Sequence, residues 1–107
     1  MNFETQIHER PECIVERALA VIDGKWTTLI LRDLLSGTRR FGELRSSLSG
    51  ISPKTLTDRL RALETQGVLT RQVFPEIPPR VEYALTDKGR ALGSVVHALA
   101  EWGAQWT

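Results

Sequence analysis

The chain has 107 residues, 41% of them hydrophobic and 25% charged, with a net charge of +1. This length predicts one domain, residues 1–107, with a modest core. No run approaches the ~20 apolar residues of a membrane span, the start Met1-Asn2-Phe3-Glu4-Thr5 lacks signal-peptide regions, and one cysteine excludes an internal disulfide framework, so a cytoplasmic protein with no membrane partner is expected.

Residues 1–10 are polar and read as a loose arm. From Pro11 a helix is predicted, with Ile14, Ala18, Val21 and Ile22 on its apolar face, ending near Asp23-Gly24. A second helix, Lys25 to Leu35, is apolar around much of its circumference and reads as the central core helix, with Trp26 as a core residue. Ser36-Gly37-Thr38 stops it. Arg39 to Leu48 reads as a short helix with Phe41, Leu44 and Leu48 inward, followed by a tight turn at Ser49-Gly50-Ile51.

The next helix, residues 53–66, has its boundaries written in. Ser52 is a good N-cap, Pro53 suits the first helical position, and Gly67 suits a left-handed C-cap. Leu56, Leu60 and Leu63 form an inward stripe, and Lys54, Asp58, Arg61 and Thr65 lie opposite it, flanked by Thr55 and Thr57. Arg59 falls near the edge of the buried stripe. Lys, Arg and Thr suit a DNA major groove, where cations reach guanine edges or phosphates and threonine offers a hydroxyl and a methyl. A solvated face with ordinary i,i+3 and i,i+4 ion pairs is the alternative.

After Gly67 the period changes. Val68–Phe74 and Val81–Leu85 read as two strands of a hairpin, residues 68–85, around Pro75-Glu76-Ile77-Pro78-Pro79-Arg80. Two helices joined by a short Gly-containing turn, then a hairpin, make a helix-turn-helix pattern with a wing. The expected fold is therefore mainly α with a small β-hairpin wing. Lys54, Thr55, Thr57, Asp58 and Arg61 are expected to face bases; Ser52, Arg39, Arg40, Arg45, Arg71 and Arg80 are expected to face phosphates.

Charge distribution agrees. Residues 1–37 carry four Lys/Arg and six Asp/Glu, residues 38–90 carry ten and six, and residues 91–107 carry only Glu101. Positive charge thus gathers on the segment that holds the capped helix.

Thr86 caps a last helix, Asp87 to about Trp106, with Leu92, Val95, Val96, Leu99, Trp102 and Trp106 in one stripe. A small domain does not easily cover so long a stripe. A subunit interface is expected there, made with Ile14 of the first helix; folding back within one chain is the alternative.

Several stretches resemble the HxlR-type transcription regulators, which are MarR-like. They include Asp23-Gly24-Lys25-Trp26-Thr27, Arg40-Phe41-Gly42-Glu43-Leu44, Gly50 to Thr57, Leu60-Arg61-Ala62-Leu63-Glu64 and Gly67-Val68-Leu69-Thr70-Arg71. Pro78 to Tyr83, Leu85-Thr86-Asp87-Lys88-Gly89 and Trp102-Gly103 continue the likeness, which runs from about Pro11 to Trp106. The resemblance implies a bacterial homodimeric winged helix-turn-helix regulator whose first and last helices form the dimer. Its two recognition helices would enter successive major grooves of a pseudo-palindromic operator in double-stranded DNA. The family often carries a cysteine near the start of the first helix, where Cys13 stands, and in several relatives it senses oxidants, quinones or aldehydes. With no second cysteine, a sensing disulfide would have to join two subunits; a buried, inert thiol is the alternative.

No cofactor, metal or catalytic site is expected. There is no phosphate loop or nucleophile elbow, and His8, His97 and Cys13 lack metal-ligand spacing, so the protein is not read as an enzyme. A protein-interaction module on the same fold is the rival to DNA binding. A third possibility keeps DNA binding and adds a small-molecule effector in a pocket near Trp26 and the dimer helices.

Overall fold

The computed structural model describes residues 13–107, so the expected arm and the helix start at Pro11 lie outside the described residues. Helix α1, Ile14–Ile22, begins at Cys13, whose sulfur accepts the Glu16 amide at 3.4 Å. It ends at Asp23, and Gly24, with φ +98°, turns the chain into α2, Thr27–Leu35. Thr27 is buried, and its hydroxyl donates to the Asp23 carbonyl at 2.7 Å, so the polar group costs little. Ile30, Leu31 and Leu34 of α2 sit at the centre of the core, and Trp26 packs on its edge.

One expectation is corrected here. Arg39 and Arg40 do not open a helix; they form strand β1, Arg39–Arg40. The following helix, α3, spans Phe41–Ser47, and Glu43 reaches back to accept the Arg40 amide at 2.8 Å. Strands β2, Leu69–Phe74, and β3, Arg80–Leu85, complete an antiparallel sheet ordered β1-β3-β2, with Arg39 opposite Tyr83 and Arg71 opposite the other edge of Tyr83. The wing is thus the outer hairpin of a three-stranded sheet and not a free ribbon.

Helix α4, Pro53–Thr65, matches its local signals. The Ser52 hydroxyl accepts the Thr55 amide at 3.0 Å, Pro53 opens the helix, and Leu56, Leu60 and Leu63 are buried. At its end the Gly67 amide donates to the Glu64 carbonyl and the Val68 amide to the Leu63 carbonyl, with Gly67 at φ +74°. That is a Schellman closure, and it needs a residue free to adopt positive φ.

The last helix is interrupted. Helix α5, Asp87–Ala91, gives way at Leu92 to α6, Gly93–Trp106. Thr86 fastens the start of α5 to the sheet: its hydroxyl accepts the Gly89 amide at 3.1 Å, while its own amide donates to the Val68 carbonyl at 3.0 Å. Losing that hydroxyl in Thr86→Ala should cost about 1–2 kcal/mol, read as a lower midpoint in urea denaturation with unchanged slope.

Helix α6 lies against α2, where a Cβ on Gly93 would stand 3.1 Å from Leu35. Leu92 and Val96, expected at a subunit interface, are half-buried against the chain's own core. The stripe therefore divides. Val95, Leu99, Trp102 and Trp106 stay exposed, and no residue of α6 is fully buried.

Candidate nucleic-acid interface

Helix α3, the turn at Gly50, α4 and the β2–β3 hairpin occupy one side of the core. Gly50 has φ +92°, and buried Ile51 anchors the turn through its amide to the Leu48 carbonyl at 3.1 Å. The cap and leucine stripe hold α4 so that its opposite face is solvent-exposed.

On that face Lys54 donates to Asp58 at 2.9 Å, and both side chains remain exposed. Ser52 and Thr55 spend their hydroxyls on each other at 2.9 Å. Thr57 and Arg61 turn toward the wing. They border a concavity of about 420 Å³ between α4 and the sheet, with Arg71 and Tyr83 on the far wall and Glu64 at its rim. Residues far apart in sequence, Arg61 on the helix and Arg71 on β2, thus share one groove.

The phosphate-facing set separates into free and engaged cations. Arg40, Arg45, Arg61 and Arg71 are exposed, and no carboxylate lies within ion-pair distance of them among the described residues. Arg39 is drawn back, its guanidinium donating to the Ser36 hydroxyl at 2.7 Å and the Thr38 carbonyl at 3.0 Å. Arg80 is the larger departure. It lies 3.2 Å from Glu76 and 3.2 Å from Glu82, and 4.1 Å over the Phe74 ring. Its charge is neutralised at the tip end of the wing, opposite Phe74, where it braces the turn of the hairpin. Glu82 stands two residues along the same strand, and so on the same face; that spacing was a readable signal for the pairing.

Two cations outside the expected set flank α4 on its other side, Arg59 and Lys25, and both are exposed. The sequence offered little signal for this, because their proximity depends on how the α1–α2 turn meets α4.

Cys13 is buried at the head of α1, and His97 is exposed, reaching Glu101 at 2.8 Å. Between α1 and α6 runs a groove of about 250 Å³ lined only by aliphatic side chains, among them Ile14, Val15, Leu19, Leu92, Val95 and Leu99. Among the described residues no cluster of His, Cys, Asp and Glu could hold a metal, and no helix is long and apolar enough to cross a membrane.

A helix-turn-helix followed by a three-stranded wing sheet defines a winged helix-turn-helix protein. A family profile described as HxlR-like helix-turn-helix matches residues 21–107, and the chain belongs to that family. It is 49% identical over 94 residues to the uncharacterised HTH-type transcriptional regulator sll1512 of Synechocystis sp., covering 88% of this chain and 70% of that protein. A MarR-family transcriptional regulator from Porphyromonas gingivalis W83 superposes with a TM-score of 0.85 at 36% identity, covering 92% of this chain and 96% of that one. The redox regulator HypR in its oxidised form superposes with a TM-score of 0.82 at 40% identity, covering 89% and 98%. The chain is a transcriptional regulator of this fold, and its relatives are described as regulators rather than enzymes.

Proposed function

We propose that this regulator binds double-stranded DNA as a cytoplasmic homodimer, with α4 in the major groove and the wing beside it, on a pseudo-palindromic operator. The observation that carries the reading is the set of exposed, unneutralised arginines on the helix-turn-helix and its sheet, Arg40, Arg45, Arg61 and Arg71, with Arg61 and Arg71 sharing one groove, around a helix whose outward residues are Lys, Thr and Asp. Although Asp58 pairs with Lys54 and two glutamates pair with Arg80, these four arginines have no carboxylate partner among the described residues and leave charge available for phosphates. Lys54, Thr55, Thr57, Asp58 and Arg61 are the base-reading candidates, with Asp58 accepting from cytosine or orienting Lys54. Ser52, Arg39, Arg40, Arg45 and Arg71 are the phosphate candidates. Arg80 serves the same surface by stiffening the wing that presents Arg71.

The test begins with selection of bound sites from genomic DNA, followed by fluorescence anisotropy on the selected duplex and on a scrambled one. Arg61→Ala should weaken the selected site by about 10–100-fold and the scrambled duplex far less, as expected for loss of a bidentate base contact. Equal loss on both duplexes moves Arg61 to the phosphate set. A wild-type protein without salt-dependent binding to any duplex defeats the reading.

The dimer would close the aliphatic α1–α6 groove and the tryptophans beyond it. Cys13, at the head of α1 beside that groove, is the proposed point of action for an oxidant or electrophile. The likeness to the redox regulator HypR supports this. A small-molecule effector in the same region is the other form such control could take.

A further inference from the structure

The side of α4 that faces away from the wing carries a second pair of ordered cations. Thr57 and Arg61 border the wing concavity, and Arg59 leaves the helix about 160–200° around from them. Its guanidinium carbon and terminal nitrogens lie 3.2–3.3 Å from where a Cβ on Gly24 would stand. The guanidinium therefore lies close beside Gly24 of the α1–α2 turn, in space that a side chain at that position would crowd. The next residue along that turn is Lys25, whose ammonium stands 4.7 Å from the centroid of the Trp26 ring.

Both cations are exposed, and neither has a carboxylate within ion-pair distance among the described residues. The one acid on the turn, Asp23, points its carboxylate at the Gly24 amide, 2.9 Å away. Even with Asp23 counted, Lys25 and Arg59 leave the cluster net positive. A guanidinium packed beside the turn and an ammonium held over an indole lose less freedom on meeting an anion than unrestrained side chains do.

The geometry points to a second phosphate-binding rim, formed by Arg59 and Lys25, that grips the DNA strand on the side of the recognition helix opposite the wing. It rests on the DNA-binding reading above. A helix in a major groove runs between two phosphate backbones, one on each side of a groove about 12 Å wide. Arg71 attends the wing-side strand. The turn-side strand would pass the α1–α2 turn, where Arg59 and Lys25 are the available cations. The ligand is the phosphodiester itself, so the contacts set register and affinity without reading sequence. The rim also places the end of α1 against the DNA, through the same turn that Arg59 lies beside.

The full-length chain carrying Arg59→Gln, Lys25→Gln or Arg59→Lys is titrated by anisotropy onto the selected and scrambled duplexes across a salt series. Each Gln variant should weaken both duplexes by a similar factor, about 5–10-fold at moderate salt, and reduce the slope of log affinity against log salt by about 0.9. Arg59→Lys should keep the slope, and all three should melt near the wild-type temperature. An unchanged slope in both Gln variants overturns the rim. So does a binding loss in Arg59→Lys equal to that in Arg59→Gln together with a lowered melting temperature, which assigns Arg59 to holding the turn. If Arg61→Ala impairs operator binding while the Gln variants do not, the rim falls and the DNA-binding reading stands. If the wild type binds no duplex, both fall.

Discussion

Gly89→Ala is expected to cost the fold about 2–4 kcal/mol of stability. A Cβ at this position would stand 2.1 Å from the Val68 carbonyl oxygen and 3.0 Å from a Leu85 methyl. Neither neighbour can yield cheaply. Val68 is fully buried, and its carbonyl is held by the Thr86 amide at 3.0 Å and the Thr86 hydroxyl at 3.1 Å. To admit the methyl, α5 must lift from the start of β2, which breaks those bonds and the cap on Gly89 together. Overpacking a rigid site costs about 1–3 kcal/mol, and the coupled loss of the cap adds about 1 kcal/mol more. Against a total stability of roughly 5–15 kcal/mol, this should lower the thermal midpoint by some 15–25 °C in circular dichroism. Gly42→Ala is the control: nothing lies within 4 Å of its added carbon, it sits in α3, and it should be neutral or stabilising by up to about 1 kcal/mol. A Gly89→Ala protein that melts with the wild type would mean that the α5–β2 approach is looser than described.

Trp102→Glu should yield a folded monomer that has lost most of its affinity for the operator. Within one chain Trp102 and Trp106 remain 62% and 65% exposed and Leu99 50% exposed, although all lie on a well-formed helix. Covering the open part of one tryptophan, on the order of 100 Å², is worth about 2–3 kcal/mol. Two such residues on each of two subunits supply on the order of 10 kcal/mol, comparable with the cost of association before the α1 aliphatics are added. In the proposed dimer a twofold axis would place each substitution in the interface twice, so a buried carboxylate should raise the dimer dissociation constant by about a thousand-fold or more. Separated half-site readers then lose the avidity of the pair, about 10²–10⁴ in affinity. Sedimentation velocity reads the first effect and anisotropy the second. Because Trp102 touches little of its own chain, the melting profile of the monomer should stay cooperative. A wild-type chain that sediments as a monomer at micromolar concentration, or a Trp102→Glu variant that still dimerises, removes α6 from the interface.

Helix α4 was readable almost in full from the chain alone. Ser52, Pro53, Gly67 and the three leucines act within a turn or two of chain, and Pro53–Thr65 obeys them. The sheet was read less completely. Nothing in Arg39-Arg40 marks a strand; they are extended because Tyr83 and Glu82, some forty residues later, offer them a free edge. The interruption at Leu92 escaped for a related reason. The apolar period runs straight through it, while the bend follows from the anchoring of Gly89 on β2 and of Gly93 on α2.

The binding face shows the same division. Which residues could reach DNA was visible from charge and helical phase, but which of them are free to do so was not. Arg80 lost its freedom to Glu76, Glu82 and Phe74, and Arg39 to Ser36, whereas Arg59 acquired a place beside Gly24 that its position near the leucine stripe did not suggest. Caps, turn residues and hydrophobic periods act between near neighbours, so the helix-turn-helix, the hairpin after it, the family and the basic segment were legible in the chain alone. Ion pairing and burial depend on what other elements bring alongside. Packing alone therefore settled, among the described residues, which cations stay unneutralised and that the far half of α6 stays exposed.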